Sequence, residues 1–340
     1  MEMPAWNPNI IIKEQIIALP PAKDDLDHEI SITKTPGIMQ KLDEIAGGKG
    51  FSPSALSQYI RCPLLFYFRH IAGIKETEKL EETIEANTLG TVVHEVLQNL
   101  YQEQQLEGKV LEPENIAKMQ GRVEALTRES FEKNYTGGDI TSGKNLLLYR
   151  VALRFVQNFI AREKDFLEEL QQQGSLLTYI KAEQEMKGTI QVVLNGETKT
   201  INIRGFADRI DSVNGVTRVI DYKTGRVEDK ELKLKEWAEV ISDMEKGKSF
   251  QLLMYALLHR QSYGNSEVVP GIISLRNLSK GLFTLLYPGG KDAISAEAVD
   301  AFENELKSLL QEIFNPDIPF TRTPEEKNCI NCDFRVVCNR

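Results

Sequence analysis

The chain has 340 residues, of which 41% are hydrophobic and 27% charged, an ordinary folded composition that excludes a wholly disordered protein. That length can bury the core of one large domain or two modest ones, and no run approaches the roughly 18 apolar residues of a membrane span. A formal net charge of −9 argues against a chain that coats nucleic acid through its overall field, while screening over about 8–10 Å leaves room for a local basic groove.

The start, Met1-Glu2-Met3-Pro4-Ala5, lacks the basic-then-apolar character of a signal peptide, so a cytoplasmic location with reduced thiols is expected. Residues 1–50 read as an approach or linker segment. Pro4, Pro8, Pro20, Pro21 and Pro36 punctuate short apolar runs, and Gly47-Gly48-Lys49-Gly50 closes the stretch. Ile10-Ile11-Ile12 is expected as an edge strand. With no evident core of its own, this segment suggests a fragment of a longer polypeptide, with the main domain at 51–340.

Ser52 and Pro53 open a helix as N-cap and first helical residue. The following aromatics, Tyr59, Phe66, Tyr67 and Phe68, read as core, and Arg61, Arg69 and His70 as candidate phosphate contacts. After an acidic, mobile-looking stretch from Glu76 to Glu85, a second helix carries the apolar stripe Leu89, Val92, Val93, Val96, Leu97, Leu100 and Tyr101. His94 shares a flank of that stripe with Gly90, Leu97 and Tyr101. It points inward, either as a satisfied core histidine or as a ligand. Residues 108–180 keep helical period through Leu146, Leu147, Val151, Phe155, Phe159, Phe166 and Leu170. They read as a helical insertion forming one wall of a groove.

From Glu183 the period switches to two, with Ile190 to Leu194 and Thr200 to Ile203 as the arms of a first hairpin. Asn195-Gly196 and Asn214-Gly215 are hairpin signals, which predict a three-stranded antiparallel meander ending at Asp221-Tyr222-Lys223. Asp221 and Lys223 leave the same face of their strand, and Asp208 can lie opposite them. Two carboxylates and an ammonium then converge where a divalent cation and a phosphate could sit; a surface hairpin with a solvated salt bridge has the same spacing. Asp211, at an odd offset from Asp208, falls on the opposite face as a structural or solvated carboxylate. Glu95 is expected at the surface, and Glu185 as an accessory acid. A helix from Phe250 to Gln261 sets Gln251 and Tyr255 one turn apart. Strands near Val268–Leu275 and Leu282–Tyr287 follow, then a helix from about Ser295 to Phe314. This order predicts an α/β sandwich with a mixed sheet, its crossover strand parallel to the meander.

The tail holds Cys329, Cys332 and Cys338, and the only other cysteine is Cys62. Four thiols with three clustered at one end are a metal signal. Four thiolates suit zinc and an iron–sulfur cubane alike.

Together these motifs resemble a RecB-family nuclease of the PD-(D/E)XK superfamily, and more narrowly the AddB-type C-terminal nuclease domain. The matching stretches are Leu89-Gly90-Thr91-Val92-Val93-His94, Gly205-Phe206-Ala207-Asp208-Arg209-Ile210-Asp211, Asp221-Tyr222-Lys223 and Gln251-Leu252-Leu253-Met254-Tyr255, with the cysteine pattern beside them. The resemblance covers roughly Phe51 to Arg340. It implies a restriction-endonuclease-like fold: an antiparallel meander plus a parallel strand, flanked by helices. It further implies a DNA nuclease requiring Mg²⁺ or Mn²⁺, held by His94, Asp208, Asp221 and the Tyr222 carbonyl, with Lys223 at the reacting phosphate and Gln251 and Tyr255 supporting it. Cys62, Cys329, Cys332 and Cys338 would hold a 4Fe–4S cluster, zinc being the second choice. The implied setting is the exonuclease module of a helicase–nuclease in double-strand-break repair and recombination, with DNA and a helicase as partners. The alternatives are a standalone single-strand nuclease of the CRISPR-adaptation type and a DNA-binding scaffold whose site has decayed.

Overall fold

The computed structural model describes residues 30–74, 83–135, 137–264 and 266–340. The Ile10–Ile12 piece and most of the acidic stretch at 76–85 lie outside the described residues. β1 (Ser31–Ile32) precedes α1 (Pro36–Gly47), whose Thr35 hydroxyl accepts from the Ile38 N–H at 3.4 Å. α2 (Pro53–Arg61) is capped by Ser52, which accepts from the Ala55 N–H at 3.2 Å. α3 (Pro63–Phe66) follows, and then a wide helical turn over Tyr67–Ile71. α4 (Ala86–Glu103) buries all seven residues of its apolar stripe. β2 (Lys109–Val110), α5 (Pro113–Gln120), α6 (Val123–Asn134) and α7 (Gly143–Gln172) complete the helical layer expected at 108–180.

The meander is longer than its alternation suggested: β3 (Leu177–Leu194), β4 (Glu197–Val213) and β5 (Val216–Lys223). Both turns are two-residue Asn-Gly loops, with positive φ at Asn195, Gly196, Asn214 and Gly215. This backbone matches the twist of the flanking strands. α8 (Glu239–Ser242) and α9 (Gly247–Tyr263) lead into β6 (Val268–Ser274), which runs parallel to β5. β7 (Leu282–Thr284) is the antiparallel edge, giving the order β2-β3-β4-β5-β6-β7. β8 (Leu286–Tyr287) and β9 (Gly290–Lys291) form a small hairpin. α10 (Ala296–Phe314) and β10 (Phe320–Thr321) end the fold, with β10 paired to β1. A mixed six-stranded sheet flanked by helices is thus present, as the restriction-endonuclease-like expectation required.

The sheet separates two cores. Consecutive residues of β5 show the division: Val219 joins the core with α1, α2, α9 and α10, and Ile220 joins the one with α4 to α7. Alternation along a strand buried on both faces produces this split. α9 lies deep in the first core, with Phe250, Leu252, Leu253, Leu257 and Leu258 fully buried, as a helix apolar all round must be. Residues ahead of position 50 also pack on this core. Leu42 and Ala46 of α1 are buried in the same core as Ile201 and Ile203 of β4, and β1 pairs with β10, so among the described residues the chain packs on the domain from Ser31 onward.

A buried charge network fastens the helical layer to the sheet. Arg209, 1% exposed, reaches Glu163 of α7 and Asp211, each at 2.7 Å. Arg218 grips Asp211 bidentately at 2.6 and 2.8 Å. The Tyr101 hydroxyl accepts from Arg209 and donates to Glu163. Burial alone would raise the Asp211 pKa, but the two guanidinium groups outweigh it and hold the carboxyl below its usual range. Asp211 is structural, one of the two roles expected for it. Glu95 is corrected from surface to contact: its carboxylate accepts from Ser130 at 2.8 Å and also meets Lys133 and Asn134, docking α6 onto α4.

Candidate active site

Two hairpin registers place three acids in one row. Counting back from Asn195-Gly196, Ala182 pairs with Arg209 and Gln184 with Ala207, so Glu183 faces Asp208. Counting from Asn214-Gly215, Arg209 pairs with Ile220 as the last bridged row of β4 and β5, so Asp221 falls in the row of Asp208. There the strands part. The Tyr222 N–H donates to Asp208 Oδ2 at 2.6 Å, a carboxylate taking the place of a ladder carbonyl. Glu183 has φ of 47°, an uncommon conformation for a residue that is not glycine and one that gathers at functional sites.

α4 brings His94 to this row, Nδ1 lying 3.3 Å from Asp208 Oδ1 and its ring edge-on to Tyr222 at 6.1 Å. Ligand atoms of His94, Glu183 and Asp208 all lie within 4.8 Å of one another. On β5, Lys223 Nζ is 2.8 Å from Asp221 Oδ2. α9 supports the far side: Gln251 Nε2 donates to Asp221 Oδ1 at 2.8 Å and to the Tyr255 hydroxyl at 2.7 Å, and that hydroxyl donates to the Phe206 carbonyl at 2.5 Å. Gly205 makes the approach of α9 possible, because a Cβ there would lie 3.1 Å from the Tyr255 ring and from Leu258.

The electrostatics follow from crowding. Burial raises the Asp221 pKa; Lys223 opposes the shift and Asp208 adds to it. Burial and the Asp208 charge raise Glu183 as well. Burial would lower His94 and Lys223, but Asp208 outweighs it for the imidazole and Asp221 for the ammonium, so both sit above their ordinary values. Three carboxylates thus share one ammonium and one imidazole. Asp221 Oδ2 is buried, and its one close partner among the described residues is the Lys223 ammonium. This oxygen-rich, negatively charged donor set suits a hard divalent cation, and the imidazole nitrogen widens the choice to Mn²⁺.

The sequence reading named His94, Asp208, Asp221, Lys223, Gln251 and Tyr255, and the fold brings all six together. It missed Glu183 and chose Glu185, which instead contacts Lys187 at 2.9 Å and Arg204 at 3.9 Å. The hairpin register carried the signal, since counting from the Asn-Gly turn reaches residue 183. Of the three candidate phosphate contacts, Arg61 is committed to the Asn328 carbonyl, Arg69 pairs with Asp333, and His70 bonds Gln58 at 3.1 Å.

Cys62, Cys329, Cys332 and Cys338 line one small cavity with Phe68 and Phe334. No three of their sulfurs lie within 4.8 Å of one another among the described residues. A tetrahedral zinc with bonds of 2.3 Å needs sulfurs about 3.8 Å apart, so the thiols are neighbours and not a closed single-ion set. Burial and the adjacent thiols raise the pKa of Cys329 and Cys338.

Comparison with known proteins adds family evidence. Residues 50–339 match the PD-(D/E)XK nuclease superfamily. Among curated relatives, an ATP-dependent helicase/deoxyribonuclease subunit of Carboxydothermus hydrogenoformans is 26% identical over 249 residues, covering 68% of this chain and 21% of that one. The Gene 69 protein of Mycobacterium phage L5 is 26% identical over 238 residues, covering 62% of this chain and 71% of that one. The chain therefore spans about a fifth of the first relative and most of the second. The crystal structure of SSO0001 aligns over 83% of this chain and 93% of its own, at 17% identity and a TM-score of 0.26.

Proposed function

Because the chain belongs to the PD-(D/E)XK nuclease superfamily, we propose that it is a metal-dependent deoxyribonuclease, the exonuclease module of a helicase–nuclease that processes double-strand breaks for recombination in the cytoplasm. The observation that carries this reading is the convergence of His94, Asp208, Asp221 and Lys223 at the point where β4 and β5 part. Mg²⁺ or Mn²⁺ would be held by His94, Asp208, Asp221 and the Tyr222 carbonyl, with Glu183 in reach, and when bound supplies a Lewis acid that acidifies water and offsets phosphoryl charge.

The protein's own groups do the remaining work. Lys223 stays cationic, because Asp221 outweighs the effect of its burial, and can donate to the attacking water or to a phosphoryl oxygen. A donor aimed at developing charge is worth about 3–4 kcal/mol. Gln251 and Tyr255 fix the Asp221 rotamer, so the ammonium and carboxylate keep their mutual geometry.

The helicase partner is proposed from the similarity to the helicase/deoxyribonuclease subunit. A standalone single-strand nuclease is the second reading; this chain covers 71% of the length of the phage Gene 69 protein, so a relative need not extend far beyond it. At the cysteines we propose a 4Fe–4S cluster, with zinc second. The colour of anaerobically purified protein separates the two, because zinc has no visible absorption.

The decisive experiment incubates the protein with labelled single- and double-stranded DNA, with and without Mg²⁺ or Mn²⁺, beside Asp221→Ala. Cleavage by the wild type alone is expected. Binding without cleavage would replace the enzyme with a scaffold.

A further inference from the structure

The acidic row is one end of a longer surface. Side chains two apart on a strand share a face, and the paired register continues away from Glu183 and Asp208 through Glu185 opposite Phe206, Lys187 opposite Arg204, and Thr189 opposite Asn202. Charge changes sign along this line. Acids surround the candidate metal position, an exposed aromatic stands one step away, and cations stand at two steps, roughly 13 Å along the strand. Phe206 is 46% exposed, and only it and Tyr263 are aromatic among the exposed large hydrophobics of the described residues. The Arg204 guanidinium lies 5.9 Å from its ring.

Two adjoining clefts, of about 480 and 660 Å³, share Lys49 and Arg204 in their walls. Phe51 holds that corner in place: its N–H donates to Asn202 and its carbonyl accepts from Arg204, at 2.9 and 3.0 Å. Lys49 has no ion pair or side-chain hydrogen bond among the described residues. Arg204 Nε is buried without a partner, and the nearest carboxylate to its Nη1 is Glu185 at 3.9 Å. An unpaired Lys49 beside an Arg204 whose one carboxylate contact is long, at 3.9 Å, in a chain of net charge −9, marks a local anion track.

We propose that this face is a track for single-stranded DNA, with Phe206 stacking an unpaired base beside the scissile phosphate and Arg204 and Lys49 holding phosphates further along. The assignment rests on the nuclease reading above. It commits to single strands because a base within a duplex is already stacked on both faces and cannot lie on Phe206, whereas an exposed ring beside a basic groove is how unpaired strands are held.

The test measures binding of the full chain, in EDTA, to a labelled oligothymidylate and to a blunt duplex of equal length. Phe206→Ala should weaken single-strand binding about tenfold and change duplex binding by less than about twofold, and Phe206→Trp should retain single-strand binding. Lys49→Ala and Arg204→Ala should each flatten the salt dependence by about 0.7 in the log–log slope. Unchanged single-strand affinity in Phe206→Ala, or equal loss on both DNAs, overturns the track. If that happens while Mg²⁺-dependent cutting persists, the nuclease reading survives it. Binding that depends on Phe206 without any cutting in Mg²⁺ or Mn²⁺ supports the track and overturns the nuclease reading.

Discussion

The acidic row and the cysteine end both crowd groups that want a shared cation, yet they are supported in opposite ways. The row sits between two large cores, on strands fixed by Asn-Gly turns and braced by Gln251 and Tyr255. Its frame exists whether or not the carboxylates are satisfied. The cysteine end has a cluster of only Cys62, Leu64, Leu65, Phe68, Phe334 and Cys338 at its centre, short turns around it, and Ile330, Val336 and Val337 exposed. Here the sulfur ligands are themselves part of the frame. Losing a ligand at the row should therefore cost chemistry, and losing one at the cysteine end should cost stability.

Four experiments press on that contrast. The largest effect is expected at the thiols. Joining Cys62 to Cys329 closes a loop of 267 residues (329 minus 62), which the chain-entropy model credits with about 5–6 kcal/mol if the cluster acts as a permanent cross-link. Cys338→Ser should lower the melting temperature sharply and abolish DNA binding; an unchanged melting curve with full activity would remove the cross-link from the account. Next, Glu163→Ala strips a partner from the buried Arg209, which should destabilise the fold by about 3–5 kcal/mol. Denaturant titration reads this directly, and a shift below about 1 kcal/mol would show that Asp211 alone satisfies the guanidinium. Lys223→Ala and Asp208→Asn should lower kcat by 10²–10³, about 3–4 kcal/mol. In ion-free buffer Asp208→Asn should hold or raise the melting temperature as carboxylate crowding is relieved, whereas Lys223→Ala should lower it because the buried Asp221 loses its ammonium partner. A large melting loss in Asp208→Asn would erase the distinction between the two regions.

The smallest effect concerns the seam that joins β1 to α10. Lys34 donates to the Glu312 and Asn315 carbonyls at 2.9 and 3.0 Å, and burial lowers its pKa to about 8. A lysine whose folded pKa lies below its unfolded value of about 10.4 penalises folding most where it is charged in both states. The penalty is full below pH 8 and disappears as pH rises through the unfolded pKa. The melting temperature of the wild type should therefore climb relative to Lys34→Met between about pH 8 and 10.4. Parallel curves over that window would show that Lys34 does not titrate in it.

The two regions also differ in how far their residues could be read. Asp208, Asp221 and Lys223 were legible because a two-residue turn and a period of two convert sequence distance into spatial position. Gln251 and Tyr255 were legible because one helical turn does the same. His94 was ambiguous on periodicity alone, since an inward flank serves a core residue and a ligand equally. Glu183 was overlooked because the first strand was read only over Ile190 to Leu194, whereas β3 begins at Leu177 and the register runs straight through Glu183. The Glu163–Arg209 contact was invisible, because it joins a helix to a strand across 46 residues and no local period reports such a pair. Glu95 was misplaced for the same reason: its position on its own helix says nothing of α6 arriving against it.

The turn at Asn195-Gly196 lies a dozen residues from the acid it positions. Extending both arms of that ribbon by one residue each preserves every facing pair below, whereas a single added residue on one arm turns Glu183 toward the opposite side of the sheet. Reach along the outer surface can therefore vary in steps of two without disturbing the reacting centre, so relatives can differ in ribbon length and still keep the same chemistry.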